Sequence, residues 1–211
     1  MTAAADAPLV FAGADAGEEL QRAELYGLLA SLWLAPPNPA LFEQFRVAVT
    51  EAPQRGGALE IAWQGLVDVV RGSSVQAAAD EYDALFLGVG KPEILLYGSY
   101  YLSGFLNELP LARLRDHLDR LGLTRDAARG ETEDHVSYVF EVMRYLIAGD
   151  DAAVCNLEQQ RLFFRAQVQT WVEALCDAVK AHPRAAVWSA VAELTSQFVR
   201  VEAQAFDLIE S

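Results

Sequence analysis

The chain has 211 residues, with 16 Lys and Arg against 30 Asp and Glu, and its formal net charge is −14. Hydrophobic residues make up 53% of it, which excludes intrinsic disorder because a disordered chain combines low hydrophobicity with high net charge. The acidic balance argues against nucleic-acid binding, which needs clustered Lys and Arg, and it favours attraction to basic partners.

The cysteines and the apolar runs exclude further classes of protein. Cys155 and Cys176 are too sparse for a disulfide scaffold or a zinc site, so we expect reduced thiols in the core. The N-terminus shows no export signal. The longest uncharged runs, 25–35 and 94–107, are shorter than the roughly 20 residues of a membrane span. We therefore expect a soluble cytoplasmic protein with no stable membrane insertion.

The first part of the chain shows apolar residues at helical spacing. Residues 1–16 are small and aperiodic and are predicted to form a flexible tail. Four helices are predicted after it, over about 17–35, 38–50, 58–71 and 74–86. Their predicted N-caps are Asp15 in a capping box with Glu18, Asn38 followed by Pro39, and Ser73 or Ser74.

The middle of the chain changes character. Residues 88–106 are dense in glycine and aromatic residues and are predicted to form a loop or short turns. A regular helix follows Pro110, with Gly122 just past its end. The polar residues 123–130 then form a predicted linker between two helical halves, 17–122 and 131–211.

The second half shows three further helical patterns. They are predicted from Thr132 to Gly149, from Asp151 to about Ala181, and after His182-Pro183. The chain shows no sustained period-two alternation and no internal repeat. The sequence therefore predicts an all-α fold, a single globular helical domain of about eight to ten helices.

Residues 131–135, Glu-Thr-Glu-Asp-His, form the first candidate functional segment. One interpretation is a helix start, since Thr132 can cap a helix and carboxylates in a first turn complement the helix dipole. The other is an acidic cluster that accepts guanidinium groups from a basic peptide. We expect Asp134 and His135 to lie at the surface, where substitution changes stability by less than about 1 kcal/mol.

The aromatic loop is the second candidate. It contains Tyr97, Tyr100, Tyr101 and Phe105. The loop is either a buried crossover between helices or the lining of a groove that takes up an apolar peptide segment, for which tyrosine suits because its body is apolar and its tip polar.

Three blocks, in this order on a helical chain of this length, resemble the TorD/DmsD family of redox-enzyme maturation chaperones. Residues 81–86 (EYDALF) are similar to the family's aromatic-x-x-Leu-Phe motif. Residues 97–101 (YGSYY) are similar to its aromatic-x-Ser-x-Tyr block. Residues 131–135 (ETEDH), which run into Val142-Met143, are similar to its Glu-x-x-Asp-His signature. The resemblance extends over about residues 18–205.

The resemblance implies a non-catalytic cytoplasmic chaperone without cofactor or metal. It would bind the twin-arginine leader of a molybdenum-cofactor oxidoreductase subunit, in its apo form, and assist cofactor insertion and export proofreading. The polar contacts implied are Glu131, Asp134 and His135. The residues implied to position or line the groove are Tyr82, Leu85, Phe86, Tyr97, Ser99 and Tyr101. A linker between two halves would permit either a monomer or a domain-exchanged dimer.

Two alternatives remain open on the sequence. One is a metal- or nucleotide-dependent helical enzyme that uses Glu131, Asp134 and His135, since carboxylate and imidazole groups can ligate a metal. The other is a helical adaptor without a peptide groove, which would not bind a basic leader peptide.

Overall fold

The computed structural model describes residues 17–48, 57–88, 90–126 and 130–210, and the all-α prediction is confirmed over these ranges. They contain ten α-helices, two π-helical turns and no β-strand. The α-helices are α1 Glu18–Leu34, α2 Pro39–Val47, α3 Ala58–Arg71, α4 Val75–Tyr82, α5 Gly98–Ser103, α6 Leu109–Arg120, α7 Val136–Ala148, α8 Leu157–Phe163, α9 Val172–Lys180 and α10 Val187–Glu210. The π-helical turns are Asp83–Leu87 and Phe164–Val168.

Local capping signals account for several helix boundaries. The Asn38 side chain accepts the amide of Ala40 at 2.8 Å at the start of α2. The Ser74 side chain accepts the amide of Ala77 at 3.1 Å, which selects Ser74 over Ser73 as the cap of α4. The predicted tail and its Asp15 cap lie outside the described residues, and α1 follows Gly17.

Three predictions of secondary structure are wrong. The helix expected from Thr132 begins at Val136. The single helix expected from Asp151 to Ala181 is interrupted, because Asn156 caps a new helix and a π-helical turn then separates α8 from α9. The aromatic loop contains the short helix α5, which ends at Gly104 in the left-handed conformation.

The helices of the two predicted halves pack around one apolar core. Helix α1 lies along α7, and α10 packs against α3 and α9. A cluster of aromatic side chains joins the halves, with Trp188 of α10 in contact with Trp33, Tyr82 and Phe86. In the described part of the chain, no helix is both long enough and apolar enough to span a bilayer.

A buried ion pair ties α1 to α10. The Arg22 guanidinium donates from Nε and Nη2 to the two oxygens of Glu202, both at 2.8 Å, and Glu202 is only 2% exposed. The Tyr26 hydroxyl donates to the same carboxylate at 3.1 Å, so the buried charge is well solvated by protein donors. The first and last described helices are therefore joined by a directional contact as well as by packing.

Candidate functional site

The EYDALF block, residues 81–86, is largely buried and forms hydrogen bonds with other helices. Glu81 accepts hydrogen bonds from the amides of Ala186, Val187 and Trp188 at 2.8–3.1 Å, and so caps the first turn of α10 from another helix. Tyr82, Leu85 and Phe86 are all buried. The Tyr82 hydroxyl donates to the carbonyl of Trp33 at 3.2 Å. These three side chains therefore do not line an open surface.

The π-helical turn that ends this block holds the start of the aromatic loop. The carbonyl of Leu85 accepts the amides of Glu93 and Ile94, at 3.1 and 3.0 Å. A carbonyl in the last turn of a helix has no partner within the helix, so it is available for such bonds. The loop residues before Tyr97 are thereby anchored to the EYDALF block.

Backbone pairing brings the second and third blocks together. Tyr97 and His135 form an isolated antiparallel bridge, in which the amide of Gly98 donates to the Asp134 carbonyl and the amide of Val136 donates to the Leu96 carbonyl, both at 2.9 Å. The two rings also meet edge to face, with 5.2 Å between their centroids. Contacts between residues 34 or more positions apart thus join the two blocks.

Asp134 caps the helix of the aromatic loop. Its Oδ2 accepts the amide of Ser99 at 2.8 Å, in the first turn of α5, and its Oδ1 accepts the Thr132 hydroxyl at 2.6 Å. Ser99 is 1% exposed, and its hydroxyl accepts the amide of Asn107 at 3.3 Å. The carboxylate therefore holds α5 against the acidic segment.

His135 is the N-cap of α7. Its Nδ1 accepts the amide of Ser137 at 3.2 Å, so this nitrogen carries no proton and the ring is neutral. Burial lowers the pKa of His135 to about 4, although Glu131 and Asp134 act in the opposite direction. The expectation that Asp134 and His135 lie at the surface is wrong, because they are 4% and 3% exposed. Pairing of residues 134–136 with the loop covers both side chains.

Glu131 is the half-buried carboxylate of the signature. It accepts a hydrogen bond from the Tyr97 hydroxyl, and burial together with this bond raises the pKa of Tyr97. Glu133 lies beside it and is held by Arg115, whose Nε and Nη2 donate to Oε2 at 3.0 and 2.8 Å. Arg125 donates to the Glu131 carbonyl at 2.9 Å. This segment therefore already attracts guanidinium groups of the chain itself.

Tyr101 lies on the inner side of α5. Its ring stacks on Trp171, with 5.8 Å between centroids. The indole also covers Gly98, where an added Cβ would lie 2.9 Å from Trp171 Cε2. The glycine of the aromatic loop is thus required by a close approach to the indole, and Tyr101 braces the same indole.

Large apolar side chains are exposed at the end of the same loop and at the start of α6. Tyr100, Phe105, Leu106 and Leu109 are 40%, 69%, 42% and 59% exposed, and we call these four residues the apolar ridge. Sequence reasoning singled out Tyr100 and Phe105 but missed Leu106 and Leu109. Gly104 and Asn107, which both have positive φ, are the signal that could have found them, since left-handed residues make tight turns whose tips protrude.

The nominated residues therefore separate into two groups. One is buried scaffold: Tyr82, Leu85, Phe86, Ser99, Asp134 and His135. The other is partly exposed: Tyr97, Tyr101 and Glu131. Among the described residues, no three His, Cys, Asp or Glu side chains are grouped so that they could hold a metal ion.

Comparison with known proteins identifies the family of the chain. The family model described as "Nitrate reductase delta subunit" matches residues 53–177, which include all nine nominated residues and more than half of the chain. The chain is also 28% identical over 161 residues to chaperone protein TorD of Aliivibrio salmonicida (strain LFI1238), an alignment covering 71% of this chain and 74% of that protein. The chain belongs to the nitrate reductase delta subunit family of TorD-like redox-enzyme maturation chaperones.

Proposed function

We propose that this chaperone binds the twin-arginine leader of a molybdenum-cofactor oxidoreductase subunit in the cytoplasm. It holds the apo subunit while the cofactor is inserted, makes or breaks no covalent bond, and releases the leader for export. Membership of the TorD-like family and similarity to a protein named as a chaperone support the class of function.

The apolar ridge is the observation that carries the proposal. A twin-arginine leader has a basic stretch followed by a moderately apolar one, and the ridge offers four large exposed apolar side chains for the second. Burial of roughly 300 Å² of leader surface contributes about 7 kcal/mol before the costs of ordering and association. A micromolar affinity, which allows release, needs about 8 kcal/mol net, so polar contacts to the leader must contribute as well.

The acidic segment, residues 131–135, is bonded to the helix that carries part of the ridge. Helix α5 carries Tyr100 of the ridge and is capped by Asp134, next to Glu131 and Glu133. Glu131, which is only half-buried, is the carboxylate best placed to accept a leader guanidinium. Asp134 and His135 are assigned a positioning role, because their acceptor atoms already bind backbone amides of α5 and α7.

The test is titration of the purified chain with a synthetic twin-arginine leader, followed by calorimetry. The double substitution Phe105→Ser with Leu109→Ser is expected to weaken binding at least tenfold. Its matched control is Ile61→Ser on α3, which is 66% exposed and distant in sequence from the ridge, and which is expected to bind within twofold of the parent. A leader that does not bind the parent chain, or that binds both variants equally well, contradicts the proposal.

A second titration tests the acidic contact. Glu131→Gln keeps the size of the side chain and its ability to accept the Tyr97 hydroxyl, but it removes the charge. We expect several-fold weaker leader binding, with a smaller dependence on salt than in the parent. Unchanged affinity and unchanged salt dependence would show that Glu131 does not contact the leader.

A further inference from the structure

A second surface lies between α6 and the region of α8, with Leu102 of α5 in its lining. It is a cleft of about 950 Å³, and none of the nine nominated residues lines it. Its apolar lining includes Leu102 and Leu162, which are 43% and 41% exposed. Its charged lining comes from one helix, α6, with Arg113, Asp116 and Arg120.

The two arginines of this cleft are exceptional in so acidic a chain. Among the described residues, Arg113 and Arg120 belong to no ion pair or hydrogen bond, whereas arginines such as Arg22, Arg115 and Arg200 each bind a carboxylate. Acidic residues outnumber basic ones almost two to one, so unpaired guanidinium groups on one face of one helix need an explanation. Their free donors are available to an external carboxylate.

The remaining titratable group of the cleft adds no positive charge near neutral pH. Burial, and then the proximity of Arg120, lower the pKa of His117, whose Nδ1 lies 3.4 Å from the Gln167 side-chain nitrogen. Two guanidinium groups and the carboxylate of Asp116 therefore leave the cleft cationic, within a chain whose net charge is −14. Local charge and overall charge have opposite signs here.

We propose that the cleft is a docking site for an acidic amphipathic helix of a partner protein. Arg113 and Arg120 are seven residues apart on α6, which is two helical turns or about 10 Å. A partner helix lying along α6, with carboxylates seven residues apart, places one carboxylate at each guanidinium. Its leucine-type side chains on the same face contact Leu102 and Leu162, as in other helix-in-groove complexes.

The charge of the cleft also decides which ligands it does not suit. A twin-arginine leader is basic, so the arginines of the cleft repel it, and none of the four ridge residues lines the cleft. Nucleic acid and anionic membranes are long polyanions, which the chain's overall charge of −14 repels. A short acidic helix is attracted by the two arginines at close range and largely screened from the distant charges.

The experiment uses the full chain and a designed fluorescent helical peptide. The peptide carries leucines on one face and two glutamates seven residues apart, and its counterpart carries lysines in place of the glutamates. Anisotropy is expected to show binding of the glutamate peptide, at least tenfold tighter than that of the lysine peptide. The double variant Arg113→Gln with Arg120→Gln is expected to lose at least tenfold in affinity for the glutamate peptide.

The matched control is Lys91→Gln, because Lys91 is an exposed cation that also has no ion pair within the described residues and lies outside the cleft. It is expected to bind the glutamate peptide within twofold of the parent. Equal binding of both peptides, equal losses in the control and the double variant, or complete displacement by inorganic phosphate at matched ionic strength would overturn the proposal. Thermal melting is expected to show that each variant is folded, since exposed side chains without partners contribute little to stability.

Discussion

His135→Asn tests how the acidic segment is built. Asparagine is a favourable N-cap, and its side-chain oxygen can accept the Ser137 amide in place of Nδ1. The substitution therefore keeps the cap of α7 but removes a group that titrates. The parent and the variant should then differ in how their stability depends on pH, and not simply in stability at neutral pH.

The magnitude follows from the pKa of the imidazole. Burial lowers it from 6.5 to about 4, so the unfolded chain binds more protons than the folded chain between these values. Stability therefore rises with pH across this window and is lost as the pH falls. At 1.36 kcal/mol per pKa unit, the parent loses about 3 kcal/mol at pH 4 relative to pH 7 through this group. The asparagine variant does not have this loss.

The measurement is urea unfolding of both proteins at several pH values from 7 to 4. Other carboxylates titrate in the same range, so the informative quantity is the difference in unfolding free energy between parent and variant. The unfolding free energy of the variant minus that of the parent is expected to rise by about 3 kcal/mol between pH 7 and pH 4. A difference that stays constant would mean that His135 ionises freely and is not a buried neutral cap. Imidazole nitrogen shifts that titrate near 6.5 would contradict the reasoning in the same way.

Two further substitutions probe how the blocks are held in place. Glu81→Ala removes the cap that binds three amides of α10. We expect urea unfolding to show that the free energy of unfolding falls by about 2 kcal/mol. The control Asp80→Ala, at an exposed position on the same helix, is expected to lower it by less than about 0.5 kcal/mol. Gly98→Ala places a Cβ 2.9 Å from the Trp171 ring, so we expect a loss of about 1–3 kcal/mol and a changed tryptophan emission. Gly65→Ala, where nothing lies within 4 Å, is the control and should be neutral or stabilising. Equal effects of either substitution and its control would contradict these contacts.

Helix positions were largely predictable because their signals are local. The spacing of Ala62, Leu66 and Val70 predicts α3, and the observed helix Ala58–Arg71 has the predicted bounds. Asn38 and Ser74 cap their helices through bonds to amides two and three residues away, so their neighbours alone determine the geometry. Breaks that depend on distant packing, such as the π-helical turn after α8, leave no such signal in the sequence.

That the nominated residues form a binding site stays a prediction, and the structure shows which of them are buried and what they contact. The three blocks contain the residues that the structure brings together, yet their order along the chain does not reveal which side chains are buried. The sequence alone suggests that Asp134 is a surface carboxylate. In the structure it accepts the amide of Ser99, which is 35 residues away. Leu106 and Leu109 look like ordinary apolar residues until the turn around Gly104 and Asn107 leaves them exposed.

The sequence by itself determined the helical class, most helix starts, the strong negative charge and the family resemblance, because each depends on composition or on residues within a few positions. Only the tertiary structure decided that residues 96–98 pair with 134–136, that His135 is a neutral cap, and that the four residues of the ridge are exposed. The physical reason is that burial and the pairing of polar groups are properties of contacts between distant segments.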